Sequence, residues 1–120
     1  MKPLLLTLLL VTGTAHAGDW IIYARDPDNT VYKYEPKLIT HHDNRGKAIM
    51  VWERYISPAE VTVTTKYELH CPSHSYRIHY QTMIGATSKY QNVTPDTQWY
   101  YAVPDSTQMA LIQLICTEYE

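Results

Sequence analysis

Phenylalanine is absent from the 120 residues, glycine occurs four times and cysteine only twice. So few glycines leave no phosphate-cradling loop, and neither G-x-S-x-G nor H-E-x-x-H appears. Two cysteines are too few for a disulfide-dense scaffold, and no C-x-x-C pair is present. Charged residues make up 18% of the chain, with a formal charge of −2 and no basic run. That balance argues against nucleic acid and against an anionic membrane surface as partners. The longest apolar run, residues 4–11, would extend about 12 Å as a helix, well short of the roughly 30 Å hydrocarbon core.

What is present begins with that run. Met1-Lys2-Pro3 is a short positive start, LLLTLLLV follows, and Ala15-His16-Ala17 is an A-x-A ending. These are the three parts of a secretory signal peptide, so residues 1–17 are expected to be removed. The mature domain is then residues 18–120, or 120 − 17 = 103 residues, and loss of Lys2 takes the formal charge from −2 to −3. A chain of this size forms one domain and leaves no room for a separate cofactor domain. No cysteine stands near the cleavage site to accept a lipid. The expected product is a periplasmic or secreted protein without a stable membrane anchor.

Cys71 and Cys116 both survive cleavage. An even pair in an oxidising compartment reads as one disulfide. The bond would close a loop of about 45 residues, worth ~4 kcal/mol in the chain-entropy model.

Residues 20–101 are rich in Val, Ile, Thr, Tyr and Trp with frequent alternation, which is strand material. A strand over residues 20–25 leads through the turn Asp26-Pro27-Asp28-Asn29 to a second at residues 31–34, which Pro36 ends or places at an edge. Residues 41–46 are a polar loop, residues 48–56 a third strand, and Ser57-Pro58-Ala59 a turn.

Residues 61–71 and 76–84 form the clearest hairpin. Val61, Val63, Tyr67, Leu69 and Cys71 alternate with Thr62, Thr64, Lys66, Glu68 and His70. After Pro72-Ser73-His74-Ser75 the parity flips, with Tyr76, Ile78, Tyr80 and Ile84 apolar. A four-residue loop would set Cys71 opposite Tyr76, Leu69 opposite Ile78 and Tyr67 opposite Tyr80. Glu68 would then oppose His79 on the solvent face. A less regular last strand is expected between residues 86 and 101.

Beyond Tyr101 the period changes. Pro104-Asp105-Ser106-Thr107 starts a helix with Asp105 or Ser106 as N-cap, and Gln108 is placed to bond back if Asp105 is the cap. Met109, Ile112, Ile115, Cys116 and Tyr119 share one helical face. A Cys71–Cys116 bond would staple this helix to one face of the sheet.

The ending Val103-Pro104-Asp105-Ser106 … Leu114-Ile115-Cys116 and Tyr119 resembles that of the surface-adhesin protein E-like domain family of small exported bacterial proteins. Trp20, Val31-Tyr32, Pro36-Lys37-Leu38-Ile39, Val51-Trp52 and Tyr67-Glu68-Leu69-His70-Cys71 extend the resemblance over most of residues 19–120. It implies an α+β fold: an antiparallel sheet of about six strands, with a C-terminal helix on one face tied by a disulfide. It also implies an adhesin-like activity, since the founding branch binds host matrix and serum proteins through a basic central segment. Here residues 61–83 hold only Lys66 and Arg77 as fixed positive charges.

Candidate chemistry is sparse. His70, His74 and His79 are the weak metal or haem candidates, although a disulfide removes Cys71 as a thiolate ligand. His41-His42-Asp43 lies on a separate loop, and neighbouring residues of extended chain point apart. No metal or other cofactor is expected. Glu68 beside His79 is the arrangement that would orient an imidazole for base work, but no catalytic constellation accompanies it. Eleven tyrosines and three tryptophans suit a recognition surface as well as a core. The expected ligand contacts are Lys66, Arg77, His79, Trp99 and Tyr100. The expected function is a non-enzymatic binding module with a host matrix, serum or envelope protein as partner. The alternatives are a small periplasmic enzyme, an enzyme inhibitor, or a structural envelope protein.

Overall fold

The computed structural model describes residues 19–41, 47–85, 90–93 and 96–119. The expected signal peptide, most of the expected 41–46 loop and residues 86–89 and 94–95 lie outside them. The strands are β1 (Ile21–Arg25), β2 (Val31–Tyr34), β3 (Thr40–His41), β4 (Ala48–Ile56), β5 (Thr62–His70), β6 (Ser75–Ile84), β7 (Tyr90–Val93) and β8 (Asp96–Tyr101), followed by helix α1 (Thr107–Tyr119). They form one sheet in the order β1-β2-β4-β5-β6-β7, with β3 also on β4 and β8 also on β6. The pairings are all antiparallel, so the α+β sheet is six strands wide with short strands sharing its flanks.

Local chemistry sets the element ends. In the first turn the Asp28 carboxylate accepts from Thr30 N at 3.0 Å, and Asn29 takes φ 72°, a conformation asparagine tolerates. Pro36 stops β2 and opens a single 3-10 turn, Pro36–Leu38, whose cap is the Glu35 carboxylate accepting from Lys37 N at 2.9 Å. Between β4 and β5 the Ser57 hydroxyl accepts from Val61 N, closing the expected turn.

The central hairpin forms, but its register differs from the expected one. His70 pairs with Ser75, Leu69 with Tyr76, Glu68 with Arg77 and Tyr67 with Ile78. The turn is Cys71-Pro72-Ser73-His74, closed by His74 N donating to Cys71 O at 3.3 Å. Proline is preset for the first central position of such a turn, which draws Cys71 out of the ladder. The two-residue shift keeps Tyr67 and Tyr76 on the expected face. A bulge at His79 then reverses the parity, so that Tyr80 pairs with Lys66. Tyr80, expected in the core, is instead 37% exposed on the other face, and Ile84 is exposed beside Thr62. The last strand divides into β7 and β8, each paired with part of β6.

The core lies between the sheet and α1. Tyr34, Ile49, Val51, Tyr67 and Leu69 from the strands meet Leu111, Ile112 and Ile115 from the helix. The expected stripe is therefore right but too narrow: Leu111, four residues before Ile115, is buried as deeply. The Cys71–Cys116 disulfide is formed, with the Cα atoms 5.7 Å apart, and it pins α1 to the end of β5. Ser106 is the N-cap, its hydroxyl accepting from Met109 N at 3.1 Å. Asp105 has φ 68°, and Gln108 bonds the Tyr67 hydroxyl rather than reaching back to it. At the other end His41 Nε2 lies 2.8 Å from Tyr119 O, tying the helix to β3.

Candidate functional site

Strand alternation gives the sheet two unlike faces. The face under α1 is the apolar core. Among the described residues the opposite face carries no helix, and the pairings place Arg54 opposite both Lys33 and Thr64, Trp52 opposite Lys66, and Glu68 opposite Arg77. All three tryptophans of the chain lie on this open face, each against a cation. Arg54 sits 4.3 Å from the Trp20 ring centre, Lys66 5.7 Å from that of Trp52, and Arg77 4.6 Å from that of Trp99. Stacking of this kind holds long flexible cations in fixed positions while leaving part of each in water. Arg54 Nε also donates to the Thr64 hydroxyl at 3.0 Å. Trp52 and Tyr80 meet edge to face at 5.8 Å.

Glu68 organises the middle of this face. Its Oε1 accepts from Arg77 Nε at 2.8 Å and lies 2.7 Å from His79 Nε2. The expected Glu68–His79 contact exists, but its geometry differs. Arg77 takes the directly opposite position, the bulge swings His79 onto the same carboxylate, and Glu68 is only 2% exposed. A buried carboxylate shared by a guanidinium and an imidazole orients both. Beside it His70 Nδ1 lies 2.7 Å from Ser73 Oγ, which lies 2.5 Å from Ser75 Oγ, while the His70 ring meets Trp99 at 6.0 Å.

Shallow depressions follow this arrangement across the face. One of about 250 Å³ is lined by Lys33 and Arg54 among others, one of about 330 Å³ by Trp52, Lys66, His79 and Tyr80, and one of about 430 Å³ by His70, Ser73, Ser75, Trp99, Tyr100 and Tyr101. They suit contact along a surface rather than enclosure of a small molecule.

Of the residues expected to bind ligand, Lys66, Arg77, His79 and Trp99 come together here. Tyr100, 38% exposed, lines the depression at Trp99 as well, with its ring 5.8 Å from that of Tyr76. His70 and His79 share the open face, whereas His74 is exposed at the hairpin tip with φ 52°. Among the described residues no group of three or more His, Cys, Asp or Glu side chains is arranged to hold a metal ion. Trp20, Lys33 and Arg54 join the site without having been expected there, because strands distant in sequence contribute them. The sequence signal for Arg54 was available: it shares parity with Trp52 on one strand.

A second polar cluster, also unexpected, lies under the helix. Glu53, 2% exposed, accepts hydrogen bonds from the hydroxyls of Tyr23 and Tyr67. Burial pushes its carboxyl up to about 7, partly offset by those two bonds. Burial and the Glu53 charge push Tyr67 and Tyr23 well above the usual phenol range. Tyr34, buried and bonded to Tyr119, is pushed up to about 12. The cluster joins β1, β4 and β5, and Gln108 links it to α1. It is closed over by the core and has the character of a structural element.

Comparison of the chain with protein-family models, with curated proteins and with solved structures gives no match in any of the three. Among the described residues no helix is long and apolar enough to cross a membrane.

Proposed function

We propose that the chain is an exported, non-enzymatic binding module of the surface-adhesin protein E-like kind, which takes a host or envelope macromolecule on the open face of its sheet. The observation that carries this reading is the unequal use of the two faces. The helix and the disulfide cover one, while the other displays every tryptophan of the chain with a cation held against it. Preorganised aromatic and cationic groups on a rigid sheet lower the ordering cost of association. The disulfide is consistent with an extracellular location, and the A-x-A-terminated leader supports export.

The test is retention on immobilised, oxidised residues 18–120 from host matrix, serum and envelope extracts. The expected result is retention from at least one extract by the native chain. A Lys66→Ala/Trp99→Ala variant that melts within a few degrees of it should lose that retention. No retention from any extract, or equal retention by the variant, overturns the reading.

A further inference from the structure

The charge on the open face runs against the charge of the whole chain. Of its ten lysines and arginines, five fall on this face, one on each of five neighbouring strands: Arg25 on β1, Lys33 on β2, Arg54 on β4, Lys66 on β5 and Arg77 on β6. The pairings make them a diagonal rather than a cluster. Arg25 lies one row before Lys33 and Arg54, Lys66 one row after, and Arg77 one row further. With strands about 4.8 Å apart and rows about 6.7 Å apart, the stripe is roughly 25–30 Å long. Among the described residues, alternation places the Glu68 carboxylate on the same side, and Glu35, whose N–H continues the β2–β4 pairing to Trp52 O, follows it there; they are 2% and 0% exposed. Glu35 caps the 3-10 turn and Glu68 holds Arg77 and His79, so the charge presented to solvent along the stripe is positive. The formal charge of the chain is nevertheless −2.

Resting on the open-face reading above, we infer that the ligand is a linear anionic polysaccharide, bearing carboxylate or sulfate groups, lying along the stripe from Arg25 to Arg77. A line of single cations on successive strands matches a polymer with charges at regular intervals, whereas a compact anion would need them converged. Tryptophan beside each of the last three cations supplies a flat apolar surface for the C–H face of a sugar ring, while the guanidinium or ammonium takes its acidic group. The depressions at Lys33/Arg54, at Lys66/Trp52 and at Trp99 are shallow and open, as successive rings of one chain require. This chemistry favours a polysaccharide over the protein partner that the sequence resemblance implies. Against single-stranded nucleic acid, which also uses cations and stacking rings, stands the export that the A-x-A-terminated leader supports.

The test uses oxidised residues 18–120 with four polymers: polygalacturonate, dextran sulfate, uncharged dextran and oligo-dT. Binding is measured by calorimetry or interferometry at low and moderate salt. Expected are binding to at least one anionic polysaccharide, none to dextran, and a loss of about tenfold or more as salt screens the stripe. Arg54→Gln/Lys66→Gln should weaken that binding at least about tenfold, because each substitution removes a charge-assisted contact with an acidic group. Lys37→Gln/Lys47→Gln, with the same net charge but off the stripe, should leave it within about twofold of the native chain, with melting curves confirming that both variants fold. Equal loss in the two variants, no binding to either anionic polysaccharide, or tighter binding to oligo-dT overturns the inference. If the polysaccharides fail while extract retention still depends on Lys66 and Trp99, only the ligand class falls. If both fail, so does the open-face reading.

Discussion

Tyr23 donates its hydroxyl to Glu53 Oε2 across 30 residues of sequence, joining the edge strand β1 to the central strand β4 beneath the helix. Tyr67 donates to the same carboxylate from β5. The carboxyl group is 2% exposed, so burial favours its neutral form and raises its pKa to about 7 against the opposing effect of the two tyrosine hydrogen bonds.

The sign of the resulting pH dependence follows from that rise. Protonated Glu53 is favoured by the folded state, so its contribution is complete below the unfolded value of 4.5 and is lost as pH rises to about 7. Stability should fall by about 3 kcal/mol across that window and level off above it. Glu53→Gln, which keeps an acceptor for the two tyrosines, should flatten the dependence and be the more stable chain at pH 8. Urea melts of both chains from pH 4 to pH 8 check this. Parallel curves would remove Glu53 as the cause.

Reduction of the Cys71–Cys116 bond, or Cys71→Ser, should cost about 2–5 kcal/mol. Helix α1 has 13 residues and is too short to persist alone in water. The loss should therefore appear first as faster amide exchange over Thr107–Tyr119 while β4 and β5 stay protected. A melting temperature unchanged on reduction would contradict the stapled-helix account.

The two candidate caps separate cleanly. Ser106→Ala removes the acceptor of Met109 N and should cost about 0.5–2 kcal/mol. Asp105→Gly relieves a left-handed backbone at φ 68° and should be neutral or stabilising, by up to about 1 kcal/mol. Thermal melts of the two single variants give opposite signs if Ser106 is the cap.

Leu111→Ala should cost about 2–5 kcal/mol, as much as Ile112→Ala, because both side chains are fully buried against β4 and β5. Gln113→Ala, on the exposed side of the same helix, should change stability by less than about 0.5 kcal/mol. Equal effects at positions 111 and 113 would mean that α1 docks in another rotation.

Much of the fold was legible because it rests on local periods. Strand-forming residues between a polar loop and the Ser57-Pro58-Ala59 turn marked Ala48–Ile56 to the residue, and the change to a 3.6 period after Tyr101 located the helix. Two cysteines in the whole chain left a single pairing. The register of β5 on β6 was less legible. Alternation is unchanged by a slip of two residues, so only the turn geometry of Cys71-Pro72-Ser73-His74 could choose between alternatives. The bulge at His79 left no mark in the apolar pattern, and it alone decided that Tyr80 leaves the core.

The site divides in the same way. Lys66, Arg77 and His79 were visible as the polar side of one hairpin, because neighbours in a hairpin are neighbours in sequence. Residue order by itself determined an α+β domain with one cross-link, a covered face and a polar face, since each follows from composition or from a short-range period. Only the tertiary structure decided that Trp20, Lys33 and Arg54 complete that face, and that Glu53 is buried under the helix with tyrosines from two other strands. The pairing of β2 with β4 and of β1 with β2 brings those residues together across 20 to 40 positions of chain. No local preference encodes such a distance. It is set by burial of the shared apolar face, which selects one sheet order from many that satisfy the same alternation.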